Sequence, residues 1–241
     1  MPGGAYVALT GVRTRMDQLD QIAADLANAT TAGYKGERKS TVSAARPDFG
    51  AMLDAAVDVT DGPTRIDFSP GTIAATGRDL DAAIDGEGFF VLEGPGGPRY
   101  TRNGHFLRAP DGRLSTTSGF AVEGESGEIV IPPDVPITIE PDGTVRAGAA
   151  NVGKLKVVTF QNNDVLIREG GATFRAPAGI TPEDAEEPVI RAGALEGSNV
   201  SVIDSMARLV EVSRAYDSLQ RGIGVVMNDL DLRAIGELGR K

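Results

Sequence analysis

Apolar side chains recur at steps of three and four near both ends of this chain. From Val202 onward the series runs Val202, Met206, Leu209, Val212, Tyr216, Leu219, Ile223, Val226 and Leu230, with Arg208, Glu211, Arg214, Asp217 and Arg221 on the other faces. That is the seam spacing of a long amphipathic helix packed along a partner. Asp217 and Arg221 stand four apart in the favourable acid-first order. A helix from Val202 to Ala234 would be about 50 Å long, whereas a helix of one globular domain averages about 11–12 residues. At the other end Leu9, Val12, Met16, Leu19, Ala23 and Leu26 form a second heptad-like seam, which predicts a helix over Tyr6–Asn28. The expected architecture is therefore α+β: long N- and C-terminal helices paired as a coiled coil, carrying whatever lies between them.

Glycine and proline mark what lies between. Of 31 Gly, 24 fall from Gly33 to Gly197, and 13 of the 14 Pro fall from Pro47 to Pro188, so the middle is rich in turns and poor in helix. Residues 34–65 lack clear periodicity and read as an extended connector, with a short strand or helical turn near Met52–Val57. From Ile66 the pattern is β. Asp85-Gly86-Glu87-Gly88 precedes the apolar run Phe89-Phe90-Val91-Leu92, and Asn103-Gly104 between Arg99–Arg102 and His105–Arg108 is the dipeptide most favoured in a two-residue hairpin turn. Further turns are expected at Asp111-Gly112, Ser118-Gly119 and Asp142-Gly143, and strands at Glu128–Ile131, Ile137–Glu140 and Leu155–Gln161. Asn162–Ala192 reads as a loop with one or two strands. Closely spaced short strands argue a central antiparallel β domain, sandwich or barrel-like. The expected domains are a terminal helical domain of residues 1–33 and 198–241, a connector of 34–65 and a β domain of 66–197. Ser198 or Ser201 is placed to cap the last helix, with Asp204 in its acidic first turn.

Composition narrows the chemistry. Lys and Arg total 24 against 34 Asp and Glu, a formal charge of −10, and no basic run offsets it, so nucleic acid and anionic membrane surfaces are poor partners. Without cysteine there is no disulfide, thiol nucleophile or Cys-based metal site. No run of 18 apolar residues is present to cross a membrane as a helix. The N-terminal Met-Pro-Gly-Gly-Ala-Tyr lacks the charged and apolar regions of a cleaved leader.

Individual candidates for chemistry have plainer explanations. His105 is the only histidine and no Gly-x-Ser-x-Gly elbow accompanies it, so it reads as a partly exposed strand residue. Asp79, Asp81 and Asp85 are the densest acidic cluster, but Ala83 stands where a calcium loop needs its third ligand, and they read as solvated turn acids. Gly86-Glu87-Gly88 lacks the third glycine of a dinucleotide fingerprint. No cofactor or metal is expected. Paired carboxylates such as Asp81 and Asp85 keep open a second reading, a secreted hydrolase of cell-wall glycan. A third is a coiled-coil adaptor of discrete oligomeric state. The leading expectation is assembly. Two helices bury only one side each, and Ile203, Val210, Val225, Met227 and Leu232 lie off the main seam, so apolar surface remains for neighbouring subunits. The expected assembly interface is Leu9, Val12, Met16, Leu19, Ala23 and Leu26 together with the nine C-terminal seam residues from Val202 to Leu230.

Three blocks, taken in order, resemble a known family. Ala23-Ala24-Asp25-Leu26-Ala27-Asn28-Ala29-Thr30-Thr31-Ala32-Gly33-Tyr34-Lys35 is similar to the N-terminal signature of bacterial flagellar rod and hook proteins, A-N-N-L-A-N-x-x-T-x-G-Y-K; Ala24 and Asp25 replace the paired Asn, and Ala32 stands where Pro is common. Asp67-Phe68-Ser69-Pro70-Gly71, Thr76-Gly77, Leu80-Asp81, Ala83–Phe90 and Tyr100–Phe106 resemble its middle block, with Arg78-Asp79 in place of Asn-Pro. Leu195–Val200 and Arg214-Ala215-Tyr216 resemble its end. The motif residues carried over are Leu26, Ala27, Asn28, Thr31, Gly33, Tyr34 and Lys35. The resemblance implies a non-enzymatic axial subunit of the periplasmic rod. It implies export without a cleaved signal through the flagellar type III apparatus, and helical packing with copies of itself and other rod proteins around a central channel. The terminal helices would then form the inner tube, with the β domain outside.

Overall fold

Phe89-Phe90-Val91-Leu92 shows how the β domain is built. In an extended strand alternate side chains face opposite ways. Phe90 and Leu92 enter one core with Phe106, Leu114, Val122 and Ile139, while Phe89 and Val91 enter a second with Tyr100, Val158, Leu166 and Phe174. All four are at most 2% exposed. A strand covered on both faces needs a continuous apolar run, and this segment supplies one. Each fully buried side chain contributes about 1.5–3 kcal/mol. Edge-to-face rings tighten both cores, with Phe90 against Phe106 at 5.1 Å and Tyr100 against Phe160 at 4.8 Å between centroids.

The computed structural model describes residues 2–39 and 64–238, with side chains from Gly11 to Arg38 and from Thr64 to Gly224. The chain opens with helix α1 (Pro2–Ala27), then β1 (Glu37–Lys39), which pairs with β2 (Thr64–Ile66). There follow β3 (Ile73–Ala75), β4 (Ala82–Ile84), β5 (Phe89–Gly94), β6 (Gly97–Thr101), β7 (Phe106–Arg108), β8 (Leu114–Thr116), β9 (Ala121–Gly124) and β10 (Gly127–Glu128). Next come β11 (Ile137–Ile139), β12 (Thr144–Ala147), β13 (Ala150–Lys154) and β14 (Val157–Thr159). The last strands are β15 (Ile167–Gly170), β16 (Thr173–Arg175), β17 (Glu183–Asp184), β18 (Ile190–Ala192) and β19 (Ala194–Glu196), before helix α2 (Val202–Leu238). The main sheet runs β15-β16-β6-β5-β9-β8-β7, with β14 also on β5, and every register within it is antiparallel. A second sheet, β11-β12-β13, brings Ile137, Ile139, Val145 and Ala147 onto the Phe90 core. Two-stranded pairs, β4 with β18 and β3 with β19, tie the end of the domain back to its start.

Contacts divide the chain into two compact units. One contains α1, β1 and α2; the other contains residues 28–36 and 66–200. The connector expected over 34–65, with its short element near Met52–Val57, falls largely outside the described residues. Turns at Asp111-Gly112, Ser118-Gly119 and Asp142-Gly143 join paired strands, with φ of 88°, 85° and 89° at their glycines.

Two β expectations are corrected. Asn103-Gly104 is not a hairpin turn, because β6 pairs with β5 and β16 and β7 with β8. Gly104 is there for close approach: a Cβ would lie 1.6 Å from the carbonyl oxygen of Ala82. Asn162–Ala192 holds four strands, β15 to β18, each two to four residues long and too short to show periodicity.

The paired coiled coil is also corrected. Both helices form, α1 with 26 residues and α2 with 37. Pro2 is the first residue of α1, the position where a missing N–H costs nothing, and the Ser201 hydroxyl caps α2 by accepting from the Asp204 amide at 3.3 Å. A knobs-into-holes seam between them is absent from the described residues. No described side chain of α1 is buried and on α2 only Ser205 is. Met16, Ala23, Val202 and Met206 of the expected seam are exposed, while Val12, Leu19, Leu26, Leu209, Val212, Tyr216, Leu219 and Ile223 are half-covered. Arg15, Gln18, Gln21 and Asp25 of α1 and Arg208 and Glu211 of α2 line a cleft of about 370 Å³. Ile22, Val212 and Ala215 line it too, but an open cleft shared with charged and amide side chains is not the interlocked apolar seam of a coiled coil. The side chains of Leu9, Val226 and Leu230 lie outside the described residues.

Candidate functional site

Three stretches that look ordinary in sequence meet at one buried polar knot: residues 33–36 just after α1, 67–71 after β2, and 193–199 around β19. Lys35 is wholly buried and donates to Glu196 Oε1 at 2.6 Å and to the Ser69 carbonyl at 2.8 Å. The same Glu196 oxygen accepts from the Gly71 amide at 2.9 Å, and its other oxygen stands 3.4 Å from Arg102 Nε. Burial lowers the pKa of Lys35 and that of Arg102, while Glu196 pulls both back up. Two buried cations thus share one buried carboxylate. Ions removed from water are tolerated only with partners of this kind.

Backbone and amide bonds complete the knot. Asn199 accepts from the Gly36 amide at 2.8 Å through Oδ1 and donates to the Asp67 carbonyl at 2.7 Å through Nδ2. The Asp67 amide donates to the Gly36 carbonyl, and the Gly33 amide to the Glu196 carbonyl at 2.7 Å. The Arg168 guanidinium donates to the Lys35 carbonyl and lies 4.5 Å from the centre of the Tyr34 ring, a cation–π contact over a nearly buried aromatic. Gly33 has φ of 68° and is pressed against the chain at Asn103, where a Cβ would fall 2.3 Å from the amide nitrogen. It does not cap α1, which ends six residues earlier at Ala27. Asn28 and Thr31 make the intervening turn, with Thr31 donating through its amide to the Asn28 carbonyl and through its hydroxyl to Oδ1.

Of the motif residues, Gly33, Tyr34 and Lys35 enter the knot directly, Asn28 and Thr31 shape the turn leading to it, and Leu26 and Ala27 remain in the last turn of α1. The assembly residues belong to α1 and α2, and none of them is a member of the knot. Sequence reasoning did not single out Glu196, Asn199 and Arg102 as a site. Their one signal is that each falls in a block carrying the family resemblance.

A second cluster corrects the reading of the turn acids. Asp81 is 1% exposed and accepts from the Thr76 hydroxyl at 2.6 Å and from His105 Nδ1 at 2.9 Å, while Arg78 Nη1 reaches His105 Nε2 at 2.9 Å. With the guanidinium donating to Nε2, the Nδ1 proton points to Asp81. Asp79 and Asp85 are exposed, and Asp85 pairs with Arg191 at 2.7 Å. The Thr76 hydroxyl is spent on the carboxylate rather than offered to the imidazole, so the trio is a structural latch between the β3–β4 turn and the start of β7.

A β domain whose two departing chain ends are locked by one buried knot, and whose helices are only half covered, defines a structural protein of the interaction type. Comparison with known proteins is specific. The family model described as "Flagellar hook protein FlgE/F/G D1 domain" matches residues 83–147, and "Flagellar basal body rod FlgEFG protein C-terminal" matches residues 191–226. The chain is 33% identical over 246 residues to the flagellar basal-body rod protein FlgF of Caulobacter vibrioides, covering 100% of this chain and 99% of the relative. It is 33% identical to FlgF of Salmonella typhimurium over 90% of this chain and 91% of that one. To FlgG of Bacillus subtilis it is 31% identical over 88% and 90%. The chain belongs to the flagellar basal-body rod protein family, as the three resembling sequence blocks imply, and within it is FlgF-like.

Proposed function

We propose that this chain is a non-enzymatic structural subunit of the flagellar basal-body rod. It packs helically with copies of itself and with other rod proteins, and so forms part of the periplasmic shaft that transmits torque. The observation that carries the reading is the Lys35–Glu196 pair, which fixes both departing chain ends to the same point of the β domain. A subunit under torsional load needs such a joint, because a loose neck would dissipate the load in local rotation. Relatives matched from end to end, named as flagellar basal-body rod proteins, support the same reading. Terminal helices that are half covered in a single chain fit it as well, since their remaining apolar surface finds cover only on neighbours. Export through the flagellar type III apparatus without a cleaved leader belongs to the proposal.

The glycan-hydrolase reading loses its residues, since Asp81 is committed to Thr76 and His105 and Asp85 to Arg191. The test is construction of the basal body in a flagellated bacterium that carries this gene. Electron micrographs of basal bodies from cells lacking the protein should show rods that stop short, restored by the wild-type gene. Complete rods in the deletion strain would refute the assignment.

A further inference from the structure

The one histidine of this chain stands between a buried acid and an exposed base. Its Nδ1 donates to Asp81 Oδ1 at 2.9 Å, and Asp81 is 1% exposed. Arg78 Nη1 lies 2.9 Å from Nε2 and 3.3 Å from Nδ1, close to both ring nitrogens at once. The Arg78 side chain is 52% exposed, against 30% for His105, and its ionic contact with Asp81 is a long 4.0 Å. The imidazole is therefore the main hold on this guanidinium. Other charges on the elements packed here are turned elsewhere. Arg102 reaches Gly86 and Glu196, Arg108 the Ile131 carbonyl and Arg191 of β18 the Asp85 carboxylate, while Asp79 is exposed.

Histidine is the side chain whose charge ordinarily changes between pH 5 and 8. While the ring is neutral, Nε2 offers its lone pair to the Arg78 guanidinium, which can only donate. A proton taken from water at Nε2 removes that lone pair and places like charge 2.9 Å from Arg78 Nη1. The Asp81 side responds oppositely, because an imidazolium–carboxylate bond is charge-assisted and a buried carboxylate needs a cation. The acid keeps the ring and the base loses it. Arg78 can leave without disturbing the backbone of its turn. The Thr76 and Gly77 amides donate to the Gly193 carbonyl at 2.7 and 3.1 Å, and the Gly193 amide donates to the Asp81 carbonyl at 2.8 Å.

We infer that the Asp81–His105–Arg78 cluster is a proton-operated switch on the β domain: protonation of His105 releases the Arg78 guanidinium into solvent and leaves the ring bound to Asp81. The surface around the β3–β4 turn then gains the charge of the ring and a freed guanidinium in one step. The inference goes beyond the rod-subunit reading and does not depend on it.

Because His105 is the only histidine, its ring signals in the NMR spectrum of the full-length, nitrogen-15-labelled protein have no competitors. The Arg78 Nε signal is the one missing from the spectrum of Arg78→Gln, a change at an exposed side chain that leaves the Thr76 and His105 bonds to Asp81 in place. As the pH falls from 8 to 5, this signal should move to the position of a free arginine with the same midpoint as the ring, while the β5 amide signals stay where they are. Coupling between two sites is reciprocal. Arg78→Gln should therefore let His105 take up its proton at higher pH, an upward shift of about half a unit. His105→Gln should leave the Arg78 signal insensitive to pH over the same range. Three results overturn the inference: a ring that titrates while the Arg78 signal stays put; a His105 midpoint unchanged or lowered in Arg78→Gln; or a ring that stays neutral down to pH 5. None of these bears on whether rods are built in cells, so the rod assignment stands or falls on the basal-body micrographs alone.

Discussion

Lys35 Nζ lies 2.6 Å from Glu196 Oε1 although 161 positions separate the two residues. The pair closes the stretch that carries the whole β domain into one loop, and neither side chain has appreciable access to water. A buried ion pair is weak evidence for net stability over a well-packed apolar alternative, but breaking one partner out of it is costly. Lys35→Met should destabilise the protein by about 3 kcal/mol. Glu196→Gln should cost more, toward about 5 kcal/mol, because it leaves Lys35 and Arg102 as two buried cations without their shared carboxylate. Urea unfolding of the three proteins gives the order; equal stability of wild type and Glu196→Gln would refute it.

The same pair sets a pH dependence. Burial holds Lys35 below the ordinary lysine value of 10.5 in the folded state. Between that lowered value and 10.5 the unfolded chain binds more protons than the folded one, so the contribution of this group to stability rises with pH across the window and is flat below it. Unfolding midpoints from about pH 7 to 10 should therefore show the gap between wild type and Lys35→Met widening as pH increases. A gap that narrows would reverse the sign.

Gly33 is irreplaceable for two reasons, its φ of 68° and the 2.3 Å approach of a Cβ to the Asn103 amide nitrogen. Gly77 has φ of 73° but open space, with nothing within 4 Å, where a Cβ would point. Gly77→Ala should cost only the left-handed backbone penalty of about 1–2 kcal/mol. Gly33→Ala should cost clearly more, because backbone must shift as well. Paired unfolding curves make the comparison, and equal costs would show that the neck is looser than the geometry requires.

Gly222 lies inside α2, exposed, with no atom within 4 Å of where a Cβ would stand. In an isolated chain Gly222→Ala should stabilise the helix by about 1 kcal/mol, read as a higher thermal midpoint in the helical circular-dichroism signal. An unchanged or lower midpoint would mean that this part of α2 is not held as helix before assembly.

What could be read from the residues follows from how local each signal is. The β5 run Phe89–Leu92 was legible because burial on both faces leaves an unbroken apolar stretch, and the glycine turns at 112, 119 and 143 because φ near 90° calls for glycine at those points. Asn103-Gly104 misled because the same dipeptide serves a hairpin and a close approach, and only the position of the Ala82 carbonyl distinguishes them. Asp81 looked like a solvated acid since nothing within its own turn announces His105, which arrives 24 residues later. The helical stripes were real as helices, yet spacing alone did not reveal that Arg15, Gln18, Arg208 and Glu211 line an open cleft between them. Lys35 and Glu196 were invisible as a pair: charged residues default to the surface, and no periodicity links positions 161 apart. The family resemblance marked Lys35 without saying why a lysine stands there.

The most direct test of the neck as a rigid joint is native-state hydrogen exchange at the Gly33, Gly36 and Gly71 amides, which donate to Glu196 O, Asn199 Oδ1 and Glu196 Oε1. If the knot locks both chain ends to the β domain, these three amides exchange as slowly as those of β5, and Lys35→Met speeds all three together. Rapid exchange at the three glycines in the wild type, while β5 stays protected, would contradict the account.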